Sequence, residues 1–479
     1  MKKYIWALLP LVMLGACKKD FENLNTNPKL FPTVPAPTLI TQAERVLSNA
    51  LTSANVNNNV FRLVEQQWQE TTYNDESLYN FDTRNINRQM WGSLFRDVLN
   101  NLKLAKDIIP GDPTVVGDVV KKNDIAIADI LQVYSFYYLV TTFGDVPYSQ
   151  AFDSKNNFPK YDDAATIYKD LLKRLDADIA ALSGTASLGG ADIIYGGDIT
   201  KWKKFANSFK LKMGMTIADY DAALAKTTAQ SAFDAGVFTD NADNATLVYL
   251  AATPNTNPIW VDLVQSGRND FVACATLVKQ LNNSNGVLDP RASKYFTLYK
   301  ATTNDPGIYL GADPGVKANY ESFSHVGSVV TAATAPGLLL DYAEVSFYLA
   351  EAKAKNLITN GSTAAVYYTK GVQASFDYWK AGDATVFIAA NPYSTNNLAT
   401  QKWVANFNRG WDAWIETRRL DFPVLYKPAT GAFSDFPVRF KYPVDEANVN
   451  PANYKAASAA IGGDVVTTRL FFDKNAMPK

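Results

Sequence analysis

Apolar residues recur every four positions at Ile167, Leu171, Leu175 and Ile179, and Leu172 widens the stripe. Lys169, Asp170, Lys173, Arg174, Asp176 and Asp178 fill the rest of each turn, so the spacing predicts an amphipathic helix. Asp124 to Phe143 is apolar nearly all round (Ile125, Ile127, Ile130, Leu131, Val133, Phe136, Leu139). It predicts a buried central helix, stopped by Gly144 and Pro147. Leu338 to Ala354 and Ala364 to Trp379 predict a further helical pair, separated by the turn-like Thr359-Asn360-Gly361. In the second of these, Tyr368, Val372 and Phe376 form the inner stripe, and Gly371 and Ala374 let a neighbour approach closely. Two antiparallel helices in roughly forty residues suit a tetratricopeptide-like unit. Strand patterning is thin, with Ala245 to Leu250 and Val465 to Phe472 as short candidates.

Three long stretches break the helical pattern: Thr71 to Arg88, Thr253 to Asp270 and Thr302 to Pro336. Structureless loops beyond about 15 residues are uncommon unless functional, so a site is sought there. The first sets Tyr73, Tyr79 and Phe81 among Asn74, Asp75, Asn80, Asp82, Arg84 and Asn87. A pyranose needs flat apolar faces for its C–H side and planar polar groups for its hydroxyls, and this loop supplies both. The competing reading, equally open from sequence, is a polar loop whose aromatics anchor it to the body. Trp260, Arg268, Asn269 and Asp270 form a second candidate group, and Tyr309 and Tyr320 a third.

The N-terminus changes the picture. Lys2 and Lys3 precede an apolar run of eleven residues, Tyr4 to Leu14. As a helix that run rises only ~16 Å, about half a bilayer core, so it reads as a secretory signal peptide over residues 1–16 rather than a membrane span. Leu14-Gly15-Ala16-Cys17 resembles a bacterial lipobox, in which the cysteine is acylated and becomes the new N-terminus. Residues 17–37, of which Asn23 to Pro37 is rich in Asn and Pro, are then the lipidated Cys and an extended leader, and 38–479 the folded domain. Multiple acyl chains make such anchoring stable, at ~0.8 kcal/mol per buried methylene.

Composition removes several chemistries. Loss of Lys2 and Lys3 with the signal leaves 44 basic against 47 acidic residues, a balance that gives no case for nucleic-acid binding. His325 is the only histidine, which excludes a multi-histidine zinc site and leaves any Ser-His-Asp triad dependent on it. With Cys17 lipidated, Cys274 has no intrachain partner, and its neighbours Val272, Ala273, Ala275 and Leu277 mark it as a small buried hydrophobe. The chain carries 25 Tyr, 26 Phe and 9 Trp, enough for helix packing or for ligand stacking. Trp403, Trp411 and Trp414 read as a packing face. Glu344 and Glu351 are two turns apart, ~10.5 Å along a helix axis. Glycosidase carboxylates straddle a bond at about 5 to 9.5 Å, so these two read as packed structural acids, with Arg418, Arg419 and Arg439 as possible partners.

Six segments, in order, resemble the SusD/RagB family of Bacteroidetes outer-membrane lipoproteins, and its SusD-like branch in particular. They are Cys17-Lys-Lys-Asp-Phe-Glu-Asn-Leu-Asn-Thr-Asn-Pro28, Phe143-Gly-Asp-Val-Pro-Tyr148, and Trp202-Lys-Lys-Phe-Ala-Asn-Ser-Phe-Lys-Leu-Lys-Met213. Asn257-Pro-Ile-Trp260 with Arg268 and Asp289-Pro-Arg291 follows, then Tyr342-Ala-Glu-Val-Ser-Phe-Tyr-Leu-Ala-Glu-Ala352. Pro437-x-Arg-x-x-Tyr-Pro443 with Glu446, Asn448 and Asn450 closes the set. Where the family often ends in a tryptophan-rich W-W-D, this chain has Phe471-Phe472-Asp473, without the indole donors.

The resemblance implies a mainly α fold: tetratricopeptide-like helix pairs forming a scaffold with long ligand-binding loops and a few short strands. It implies a non-enzymatic surface lipoprotein of the outer membrane that delivers an oligosaccharide to a SusC-like TonB-dependent transporter, with a peptide ligand as the alternative. The absence of a G-x-x-x-x-G-K-[ST] motif agrees with energy supplied from outside the chain. A carboxylate-dependent glycoside hydrolase and a structural adaptor are the remaining alternatives. No cofactor is expected, and a structural calcium ion is left open. In the family the N-terminal loop region contributes to the ligand face. The expected ligand residues are Tyr73, Asp75, Tyr79, Asn80, Arg84, Trp260, Arg268, Tyr309 and Tyr320, with Cys17 the lipidation site.

Overall fold

The computed structural model describes residues 34–428 and 431–474. The signal peptide, Cys17 and most of the leader lie outside them. Helix α1 (Ala36–Thr52) begins just inside the expected leader. Pro37 is tolerated in its first turn, where a backbone N–H has no intrahelical partner, and Asp112 Oδ2 accepts from Ala36 N at 2.8 Å.

Helices then follow in pairs. An almost continuous helical run comprises α2 (Ile86–Gly92), a π-helical segment (Ser93–Leu99) and α3 (Asn100–Ile108), and it packs on α1. The next pair is α4 (Asp118–Phe143) with α5 (Ala164–Ala181), and then α6 (Ile199–Thr216) with α7 (Ala222–Ala235). Further along come α8 (Ala275–Asn282), the pair α9 (Tyr342–Ala354) and α10 (Ala364–Trp379), then α11 (Thr395–Ala405), α12 (Gly410–Leu420) and α13 (Pro451–Ala460).

Helix α4 is apolar enough to cross a membrane, yet its side chains are enclosed by the other helices. Gly144 ends it at φ +87°, a left-handed position that suits glycine. Helix α5 buries Ile167, Leu171, Leu172 and Leu175 as its spacing predicts, and Asp163 caps it by accepting from Thr166 N. At Gly371 an added Cβ would lie 2.6 Å from Phe347 Cε1, so the Phe347 ring of α9 packs directly on the α10 backbone there.

Three two-stranded antiparallel ladders tie the pairs together: β1 (Trp68–Glu70) with β5 (Phe271–Ala273), β2 (Val146–Pro147) with β3 (Tyr161–Asp162), and β4 (Ala245–Leu247) with β6 (Gly337–Leu340). Two expectations need correction. Leu338 to Leu340 is strand β6, not the start of a helix; the helix begins at Tyr342, after Asp341 caps it by accepting from Glu344 N. Val465 to Phe472 is not a strand. Val466 O accepts from both Val438 N and Arg439 N, and the chain then turns to bury Leu470 and Phe472.

The acids Glu344 and Glu351 lie inside the helix packing. Glu344 meets Lys212 at 2.8 Å, Arg409 at 2.5 Å and the Tyr348 hydroxyl at 2.9 Å. Glu351 takes a two-bond contact from Arg419 at 2.5 and 2.6 Å, and Lys402 joins it. Of the three arginines expected as partners, only Arg419 serves. Arg418 instead donates to the carbonyls of Thr141 and Val438, and Arg439 pairs with Asp464. Both take the nearest helix-end or loop acceptors, which sequence distance does not reveal. Trp403, Trp411 and Trp414 are all buried; Trp411 stacks on Phe61, and Arg418 lies 3.4 Å over the Trp414 ring. Cys274 is a fully buried thiol.

Candidate functional site

The β1/β5 ladder sets the site. It pairs Glu70 with Phe271, so the loop leaving β1 and the segment entering β5 emerge side by side. Thr71 N donates to Asp270 O at 2.9 Å, and the Thr71 hydroxyl donates to Asn269 O. Tyr73 and Arg84 from one loop therefore face Arg268 from the other. Together with the Asn55–Asn57 turn after α1 they line an open cleft of ≈ 540 Å³, within the size range of small-molecule sites.

Tyr73 is 59% exposed. The Arg84 guanidinium lies 5.4 Å from its ring centroid and is held from behind by Glu76, Nε to Oε1 2.6 Å. Glu76 is fully buried, so Arg84 and the face of Tyr73 it backs are braced from the interior. Glu70, on the cleft wall, accepts from Ser77 N at 2.9 Å and from its hydroxyl at 2.8 Å. Burial, then the hydrogen bond and charge of Glu76, raise the Glu70 carboxyl far above the ordinary carboxylate range. Arg268 pairs with Asp270, Nε to Oδ2 2.5 Å and Nη2 to Oδ1 3.1 Å. Burial pushes Asp262 up to about 6.

Charges of the two arginines are balanced by their own carboxylates. What remains is one flat ring, amides, guanidinium edges and the Asp262 carboxyl, a set that suits a hydroxyl-rich ligand. Among the described residues no three His, Cys, Asp or Glu side chains gather as a metal site.

Of the expected site residues, the structure brings Tyr73, Arg84 and Arg268 onto this cleft. Tyr79 is a correction: it is 4% exposed and meets Phe436 edge-on at 6.1 Å, because a left-handed backbone (φ +67°) turns it inward. Phe81 likewise stacks on Phe440. Both aromatics anchor the loop to the body. Asp75 and Asn80 brace the loop: Asn80 Nδ2 donates to Asp75 Oδ1 at 3.2 Å and to Thr83 Oγ1 at 2.7 Å. Trp260 is half-buried in the helical turn Pro258–Trp260 and does not line the cleft. Tyr309 lines a separate open depression beside Pro290 and Lys380. Tyr320 stacks on His325 at 3.7 Å, and the same imidazole Nε2 lies 3.0 Å from Tyr320 O. The sequence reading missed Asn55, Asn57 and Asp262. The signal for the first two was the run Asn55-Val56-Asn57-Asn58-Asn59 directly after an amphipathic helix.

A family model of SusD-like proteins, described as starch-binding and associating with the outer membrane, matches residues 28–443. Among solved structures, a chitin-binding protein is 25% identical, with a TM-score of 0.80 over 92% of this chain and 100% of its own. A chitin-binding SusD homologue from Flavobacterium johnsoniae is 24% identical, with a TM-score of 0.76 over 91% of this chain and 99% of its own. A SusD homologue from Bacteroides vulgatus is 22% identical, with a TM-score of 0.79 over 92% and 98%. A search of the curated proteins finds no match.

Proposed function

The chain belongs to the SusD-like family, and from that membership we propose that it is a non-enzymatic, surface-exposed lipoprotein that captures an oligosaccharide and hands it to a SusC-like TonB-dependent transporter. The observation that carries the ligand class is the cleft on the β1/β5 ladder. There Tyr73 offers a flat face braced by Arg84, with Asn55, Asn57 and Arg268 around it. Stacking on Tyr73 would hold the C–H side of a sugar, and the amides and guanidinium edges would take its hydroxyls. With both arginines paired, the walls offer no free cation for a peptide's carboxylate, which favours a neutral glycan.

The chitin-binding relative and the starch-binding description of the family make chitin-derived and starch-derived oligomers the first ligands to test. Against hydrolysis stands the placement of the paired acids. Glu344 and Glu351 are sealed among lysines and arginines, and at the cleft Asp270 is engaged by Arg268 and Glu70 by Ser77 and Glu76, which leaves Asp262 without a second free acid to work with. Cys17 is proposed as the lipid anchor, and Lys18-Lys19-Asp20-Phe21-Glu22 as the signal for outer-surface display. Titration calorimetry of the unlipidated chain from residue 18 onward tests the reading. Heat of binding with one oligomer series supports it, and binding to neither series, with a peptide library binding instead, overturns it. Analysis of the products by mass spectrometry would show any hydrolysis.

A further inference from the structure

Beside the ligand cleft lies a second one, of ≈ 340 Å³, and the two share Asn55 and Asp262 as a common wall. Its sides are α1, contributing Asn49 and Ala50, the start of the π-helical segment at Ser93, and the stretch from Pro254 to Asp262. Both π-helical segments among the described residues abut it. Ser93 and Leu94 begin one, and Val261 and Asp262 begin the other (Val261–Gln265). Such turns are rare and occur frequently at functional sites, where the widened turn re-aims a side chain.

Two polar atoms in this wall have nothing to bond. Thr256 is 5% exposed and its hydroxyl has no hydrogen-bond partner; Asp262 Oδ2 is buried and equally unpartnered. A buried hydroxyl left unpaired is costly, and a carboxylate oxygen more so. Neighbouring cations act on Asp262 through space only, without a hydrogen bond to Oδ2. Arg62 gives its guanidinium to the carbonyls of Thr52, Ser53 and Asn408, and Arg268 is taken by Asp270. Donor and acceptor are thus left unspent here, beside apolar surfaces from Met90, Pro258 and Val261.

We infer that the second cleft is a further sugar subsite, in which Thr256 and Asp262 bind hydroxyls of sugars beyond the two that the outer cleft holds over Tyr73. This rests on the proposed oligosaccharide ligand. The alternative occupant is bulk water alone, on the order of ten molecules in such a volume. The subsite makes the protein a reader of chain length as well as of sugar type.

Calorimetry with oligomers of two and of five sugars, from the chitin and starch series, tests the inference. Two variants are used: Thr256→Val, which keeps the side-chain shape, and Ala50→Phe, which fills the second cleft from α1. Asp262 is left unchanged because it also faces the outer cleft. For the wild type, the five-sugar oligomer should bind at least tenfold more tightly than the two-sugar one. Both variants should lose most of that gain while binding the two-sugar oligomer within twofold of wild type. Equal affinity of the two lengths for wild type, or full retention of the gain by the variants, would overturn the subsite while leaving the outer cleft standing. No binding of any oligomer to wild type overturns both. If Ala50→Phe does not fold, Thr256→Val decides alone.

Discussion

Replacing each helix-buried acid by alanine should have unequal costs, and the inequality follows from counting charges. Around Glu344, three acids (Asp341, Glu344, Asp412) face two bases (Lys212, Arg409). Around Glu351, two acids (Glu351, Glu416) face two bases (Lys402, Arg419). Glu344→Ala removes hydrogen bonds but leaves each cation a carboxylate. Glu351→Ala leaves two buried cations sharing Glu416. Breaking a buried pair costs about 3–5 kcal/mol, so Glu344→Ala should fall near the lower figure and Glu351→Ala near the upper. For the roughly 440 described residues, an unfolding entropy of about 2.1 cal/mol/K per residue converts 1 kcal/mol into about 1 °C. The expected falls in Tm are therefore about 3 °C and about 5 °C by differential scanning calorimetry. Both variants, once folded, should bind oligosaccharide as wild type does, because neither side chain touches the cleft. A fall for Glu344→Ala equal to or larger than that for Glu351→Ala would refute the charge count. Loss of binding without loss of stability would refute the assignment of these acids to the scaffold.

Three further outcomes are expected. Cys17→Ser should move the protein from the membrane to the soluble fraction in cells lacking the transporter, read by fractionation and immunoblot; unchanged membrane association would contradict the lipid anchor. Burial raises Glu65 to about 8 although the Thr417 hydroxyl donates to it. Its folded pKa exceeds the unfolded one, so its contribution to stability is greatest below about 4.5 and declines as pH rises towards 8; Glu65→Gln should therefore add about 2–3 kcal/mol at pH 7 and little at pH 4.5, measured by guanidinium unfolding. Gly371→Ala should lower stability by about 1–2 kcal/mol despite the better helix propensity, since the added methyl meets the Phe347 ring at 2.6 Å; a gain in Tm would show that the ring moves freely.

Much of the scaffold was legible because helical burial writes a period into the chain. Ile167, Leu171 and Leu175, and the all-apolar stretch of α4, reported their own environment. Strand β6 was not legible: Leu338-Leu339-Leu340 reads equally as a helix start, and only pairing with Ala245–Leu247, some ninety residues earlier, decides it. At the site, Tyr73, Arg84 and Arg268 stood out as planar groups in long polar loops. Tyr79 has the same composition around it and faces the core, because a single left-handed residue reverses the direction of a side chain and leaves no periodic trace. Asn55 and Asp262 join the cleft through the β1/β5 register and the turn after α1, contacts that no local pattern announces.

The central claim is that the ligand is held on Tyr73 in the cleft over the β1/β5 ladder. Its most direct test is the calorimetric Kd of Tyr73→Ala for the oligomer that wild type binds best. An aromatic hot spot costs ~2 kcal/mol or more when truncated, so at least roughly thirtyfold weaker binding is expected, with Tm unchanged for a side chain 59% exposed. Wild-type affinity in Tyr73→Ala would place the ligand on another face and contradict the account.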